Sequence, residues 1–294
     1  MAYRLASTTV VATFVLILFG GLVTNTGAAL AVPDWPTTFG YNMFLYPWSQ
    51  MVGGIFYEHS HRLLGSVVGL LTLALAAALW REGGRLRVLG LVMVAGVITQ
   101  GVLGGLRVML LKETLAIVHG CLAQAFFALA VAVALLTSAS HRLPVQGFDP
   151  TLRALALAAA TVVYVQIVLG ALITHAGFIV LHLAGAAAVF VFVPMVTARL
   201  RRTHDAIAAP AASALIVLLG VQLVLGVGSL LSRFTSLWIP GGQTTMLVLP
   251  VTHRLVASLI LGAAVLIIVR ALSAGRAEPV RVAPRPRNLR LVRG

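Results

Sequence analysis

Acidic residues are scarce in this sequence, with 7 Asp and Glu against 21 Lys and Arg. Charge of either sign is scarce too, at 10% of 294 residues, while 60% are hydrophobic and the mean hydropathy is +1.03. So little polar surface excludes a soluble globule and leaves lipid as the fitting solvent. Cysteine is reduced to Cys121 alone, which excludes an intramolecular disulfide and any Cys-based metal cluster. The strict alternation of apolar and polar residues that marks barrel strands is also missing.

What the sequence does have is long apolar runs of Leu, Val and Ala. A helix needs roughly 20 such residues to cross the hydrocarbon core, and eight runs qualify: 6–28, 61–80, 88–109, 115–137, 152–174, 178–200, 211–231 and 247–271. The first follows Arg4 as a signal peptide would, but it is longer than an h-region and ends in Asn25-Thr26-Gly27 without a small-residue cleavage site, so it reads as a span. The expected fold is an all-α integral membrane protein of eight transmembrane helices.

A net charge of +14 could suggest nucleic acid, so the positions of the charges decide. Sixteen of the 21 basic residues fall on one side of the spans: Arg4, Arg81, Arg85, Arg87, Arg142, Arg153, Arg199, Arg201, Arg202 and seven from Arg270 to Arg293. Only Arg62, Arg107, Lys112, Arg233 and Arg254 fall on the other. This positive-inside pattern predicts that both termini are cytoplasmic and that the partner is the bilayer, not nucleic acid. The stretch 272–294, rich in Arg and Pro, is expected to be a disordered basic tail attracted to anionic lipid.

The spans repeat. Gly21-Leu22-Val23-Thr24-Asn25-Thr26-Gly27 at the end of the first resembles Ala171-Leu172-Ile173-Thr174-His175-Ala176-Gly177 at the end of the fifth, and Gln100-Gly101-Val102-Leu103-Gly104 resembles Gln222-Leu223-Val224-Leu225-Gly226. The chain therefore divides into two pseudo-symmetric four-helix bundles, 1–140 and 141–271. Each even-numbered span opens, at its outer end, with a histidine: His61, His119, His182 and His253. A lone histidine there is usually an ordinary interfacial group. Four at equivalent repeat positions point to function, because ionisable groups in a membrane are costly. Two neutral imidazoles facing each other across a bundle suit axial ligation of a haem iron, one couple per half. Zinc, whose four ligands converge and often include Cys or carboxylate, fits two separate couples less well. His141 and His204 lie in basic loops as solvated groups, while His59 and His175 are outer-side interfacial groups or spare ligands.

One carboxylate breaks the symmetry. Glu58 stands one turn before His61, where the other histidines have Ala116, Ile179 and Pro250. In low dielectric it suits proton transfer; pairing with Arg62 or His59 is the blander alternative. Arg62 and Arg254 follow His61 and His253, placed to meet haem propionates or to snorkel to the interface. The loop 29–57 carries Trp35, Tyr41, Tyr46, Trp48 and Phe56 without Lys or Arg, as an aromatic lid or an interfacial anchor would.

The run from Gly20 to Pro36, then Glu58-His59-Ser60-His61-Arg62, together with Gln100 to Val108 ahead of His119 and the spacing of the four histidines, resembles the haem A synthase family over residues 4–271. That resemblance implies oxygen-dependent oxidation of the C8 methyl of haem O to the formyl of haem A, destined for terminal oxidases, in the bacterial plasma membrane with the haem sites toward the outer face. It further implies that His61 and His119 bind substrate haem O, that Glu58 is the catalytic carboxylate, and that His182 and His253 hold a resident haem b. The partners implied are a haem O synthase upstream and an electron donor that the sequence does not identify. Many relatives carry two cysteines in the first outer loop, where this chain has Val32 and a position near Thr38, and the loop after the fifth span is nearly absent here. The competing class is a di-haem membrane carrier of the cytochrome b type, which explains four histidines but neither Glu58 nor the loop match.

Overall fold

The computed structural model describes residues 1–237 and 240–274, the side chain of His175 excepted. The helices are α1 (Ala2–Asn25), α2 (Gly53–Glu82), α3 (Gly84–Leu110), α4 (Glu113–Thr137), α5 (Pro150–Ala176), α6 (Ile179–Leu200), α7 (Ala208–Phe234) and α8 (Gly242–Ala274). All eight are long and apolar enough to span a membrane, so this is a multi-pass membrane protein. In lipid every backbone group must find its partner inside the chain, and helices of this length do that. Their ends are written locally: Asp149 caps α5 by accepting from Leu152 N–H, with Pro150 in the first turn, and Gly177 closes it at φ 74°. The expected basic tail lies outside the described residues beyond Ala274, as does the His175 side chain.

One boundary differs from the sequence reading. α2 starts at Gly53 rather than His61, because Glu58 and His59, which lower the hydropathy there, are themselves buried in protein. The histidines accordingly sit inside their helices rather than at the first residue, from three residues along α6 to eleven along α8.

Packing between spans gains nothing from expelling water, so close van der Waals contact between small residues has to hold them. Ala156 and Ala159 of α5, Ala211 and Ala212 of α7, and Ala263 of α8 are buried together in this way. α1 packs on α2, α2 on α3, α3 on α4, and α4 closes on α1; α5 to α8 follow the same cyclic order. The two rings meet through α1 on α8, α4 on α8 and α4 on α5, with the Tyr164 hydroxyl of α5 donating to the Cys121 carbonyl of α4 at 3.0 Å.

At the arginine-rich end stands Arg270. It is fully buried near the end of α8. Its Nη2 donates to Asp205 Oδ2 at 2.6 Å and to the Pro144 carbonyl at 2.8 Å, and Nη1 donates to the Leu143 carbonyl at 3.0 Å. Asp205 also accepts from Gln146, Ile207 and Ala208 N–H. The α4–α5 linker, the α6–α7 loop and α8 are thereby tied at one point.

Candidate functional site

Four glycines one helix back from each histidine shape the opposite end of the molecule. A Cβ on Gly20 of α1 would stand 3.2 Å from His61 Cε1, on Gly104 of α3 3.5 Å from His119, on Gly170 of α5 3.3 Å from His182, and on Gly226 of α7 3.0 Å from His253. Each imidazole thus packs directly on a glycine notch: at Gly20, Gly170 and Gly226 a Cβ would force the ring to give way, while at Gly104 it would make ordinary contact. Gly104 and Gly226 close one pair of repeated motifs, and Gly20 and Gly170 stand immediately before the other pair, so the repetition legible in the sequence has a direct steric meaning.

Seated in this way, the rings meet in two couples. His61 and His119 have ring centroids 6.4 Å apart with planes at 75°; His182 and His253 are also 6.4 Å apart, with planes at 68°. The members of each couple stand on α2 and α4, or on α6 and α8, across the middle of their rings of helices. Imidazoles on opposite sides of one metal ion, with metal–nitrogen bonds of about 2 Å, have centroids roughly 6 Å apart. The Nδ1 atoms of His61, His119 and His253 are buried without a hydrogen-bond partner, a costly condition in a membrane that a metal bond would relieve. The residues therefore fit a six-coordinate iron porphyrin in each couple. A closed zinc site fits poorly, since among the described residues no three His, Cys, Asp or Glu side chains cluster.

Glu58 turns elsewhere. Its Oε1 accepts from Arg62 Nη2 at 2.8 Å and its Oε2 from Val32 N–H at 3.0 Å. Arg62 in turn donates to the carbonyls of Asp34 at 2.7 Å, Val32 at 3.0 Å and Thr37 at 3.1 Å. The pair, one turn apart on α2, bolts the first long loop to the helix. His59 extends the bolt, with its Nδ1 3.1 Å from the Thr38 hydroxyl and its ring 5.2 Å from that of Tyr46. Val32 and Thr38 are both fully buried at this seam. Inside the loop, Asp34 accepts from Thr37, Phe39 and Gly40. Burial pushes the Asp34 carboxyl up, but these hydrogen bonds outweigh it and hold the group below its ordinary value.

The aromatic residues of the loop divide. Tyr46 is buried against Phe39 and Tyr41, whereas Trp48 is 77% exposed. Trp35 lies flat against α3, where a Cβ on Gly105 would overlap its indole, next to the Gly104 notch of His119. The loop is therefore a cap on the first couple as well as an apolar outer surface. In the other half, Arg254 makes no hydrogen bond among the described residues; it neighbours Gly21 and the Arg233 guanidinium, which donates to Asn25 Oδ1 at 2.6 Å.

Comparison with known proteins places the chain in a family. The family model described as cytochrome oxidase assembly protein, COX15-CtaA, matches residues 3–182. The chain belongs to that family. A protein named Heme A synthase, from Shouchella clausii (strain KSM-K16), is 34% identical over 105 residues, or 34% of this chain and 34% of that protein. The resemblance to haem A synthases drawn from the motifs is thus borne out at the level of family. Three of the four histidines lie within the matched COX15-CtaA region; His253 lies beyond it.

Sequence reading missed three site features. The reach of Arg62 to loop carbonyls depends on how residues 32–38 fold back. The Trp35 seat depends on Gly105 facing the loop. The third is Gln166, which lies against His182; it stands four residues before Gly170, the same interval as Gln100 to Gly104 and Gln222 to Gly226, and that interval was the available signal.

Proposed function

We propose that this protein is a haem A synthase, converting the C8 methyl of haem O to the formyl group of haem A by successive oxygen-dependent hydroxylations for use in terminal oxidases. The observation that carries the reading is the pair of histidine couples with equal 6.4 Å spacing in a chain of the cytochrome oxidase assembly family. Residues 1–140 form the substrate half, in which His61 and His119 would hold haem O. Residues 141–271 form the resident half, with His182 and His253 on haem b. The iron porphyrins supply electron transfer and oxygen chemistry when bound.

The protein's own side chains orient and enclose. The glycine notches fix each imidazole against its neighbouring helix, and the Trp35 cap covers the first couple and limits water there. Glu58 is the carboxylate one turn before His61 on the same helix, and in this reading it moves protons at its Oε2, the atom now taken by Val32 N–H. Arg62 holds it in place by a charge-assisted hydrogen bond at 2.8 Å. The duplicated halves lie in the bacterial plasma membrane with both termini cytoplasmic, as the arginine-rich loops favour. Haem O comes from a haem O synthase, and electrons from a separate donor.

Haem extraction from the purified protein, followed by chromatography, tests this. A synthase carries haem b together with haem O, an oxidised intermediate or haem A. Haem b alone, in cells that make haem O, would leave the di-haem carrier instead.

A further inference from the structure

The residue one turn before each notch glycine differs between the two couples. In α5 and α7 it is glutamine, and both reach a ring: Gln166 Nε2 lies 3.2 Å from His182 Nδ1, and Gln222 Nε2 lies 3.2 Å from His253 Nε2. In α3 it is Gln100, whose amide donates to the His119 backbone carbonyl at 3.3 Å, as that of Gln166 does to the His182 carbonyl at 3.0 Å, but does not reach the ring. In α1 it is Leu16, which has no polar side-chain atom. Gln166 has a seat made for it, since a Cβ on Gly185 of α6 would overlap its Oε1. The carbonyl oxygens of Gln166 and Gln222 are buried without partners, so each amide can present either its N–H or its carbonyl to the ring.

We infer that Gln166 and Gln222 are positioning residues that make the second couple the one that retains its haem, while the first couple, with no amide on either ring, is built to exchange its porphyrin. The inference rests on the haem reading above and adds to it which residues separate a resident site from a substrate site. An imidazole bound through one nitrogen leaves its other nitrogen to be satisfied, and a hydrogen-bonded partner there fixes the ring and strengthens the bond. Losing such a partner costs roughly 10–100-fold in metal affinity. A substrate site has the opposite need, because its product must leave.

The experiment uses the full-length protein in detergent, reconstituted with haemin and mixed with excess apomyoglobin, with haem loss followed in the Soret band. Two phases are expected, fast from the first couple and slow from the second. Gln166→Leu and Gln222→Leu should each speed the slow phase by roughly 10–100-fold and leave the fast phase alone. Gly185→Ala should do what Gln166→Leu does, by displacing the amide. Leu16→Gln should slow the fast phase. A slow phase unmoved by both glutamine variants, or a change confined to the fast phase, overturns the inference. The haem reading fails by a different result, namely His182→Ala and His253→Ala that keep the slow phase intact.

Discussion

At the scale of single residues, the notches set how much a side chain is tolerated beside each histidine. A Cβ at Gly226 must move His253 by a few tenths of an ångström, whereas at Gly220, two turns along the same helix, it meets nothing within 4 Å. Gly226→Leu is therefore expected to abolish haem binding at the second couple, with Gly226→Ala weakening it. Gly220→Ala should leave it unchanged and stabilise α7 by about 0.5–1 kcal/mol. Pyridine haemochrome content of the purified variants checks this, and equal loss from both alanine variants would contradict the steric account. Glu58 gives a second residue-level test, because its two jobs separate on substitution. Glu58→Gln keeps an acceptor for Val32 N–H and Arg62, so the loop 32–50 should stay protected from limited proteolysis while turnover stops at haem O or an alcohol. Glu58→Ala should lose both, and normal haem A yield from either variant would remove Glu58 from the mechanism.

At the scale of elements, the tie between the α4–α5 linker, the α6–α7 loop and α8 is the most concentrated polar contact in the described structure. Removing one partner of a buried ion pair strands the other charge and costs about 3–5 kcal/mol. Asp205→Asn should accordingly lower the denaturation midpoint, more than substitution of the exposed His204 beside it. Burial pushes the Asp205 carboxyl up, but the Arg270 guanidinium and the N–H groups of Ala208, Ile207 and Gln146 outweigh it and hold the group below its ordinary value. A depressed folded-state value means that the contribution is complete above the unfolded carboxylate value of about 3.9 and fades as pH falls through the folded one. Thermal midpoints should therefore be insensitive to this pair between about pH 8 and pH 5. A decline in that window that Asp205→Asn abolishes would contradict the assignment.

At the scale of the whole molecule, the eight spans were legible because lipid imposes length and hydropathy on each, one helix at a time. The four histidines were legible because each stands near the outer end of an even-numbered span. What depended on distant segments meeting was hidden. Arg270 was legible only as one of the charges on the basic side, and only the fold brings Asp205, 65 residues away, to it. Glu58 was visible as the odd carboxylate, but its grip on Val32 comes from a loop folding back over α2. The start of α2 was misplaced for the same reason, since polar residues that lower hydropathy are buried against protein and not exposed to lipid.

The central claim is that each histidine couple grips one iron porphyrin. Electron paramagnetic resonance of the oxidised, haem-loaded protein tests it most directly. Two low-spin ferric signals are expected from nearly perpendicular imidazole planes, one lost in His61→Ala or His119→Ala and the other in His182→Ala or His253→Ala. Signals that survive all four substitutions, or loaded protein that shows only high-spin iron, would contradict it.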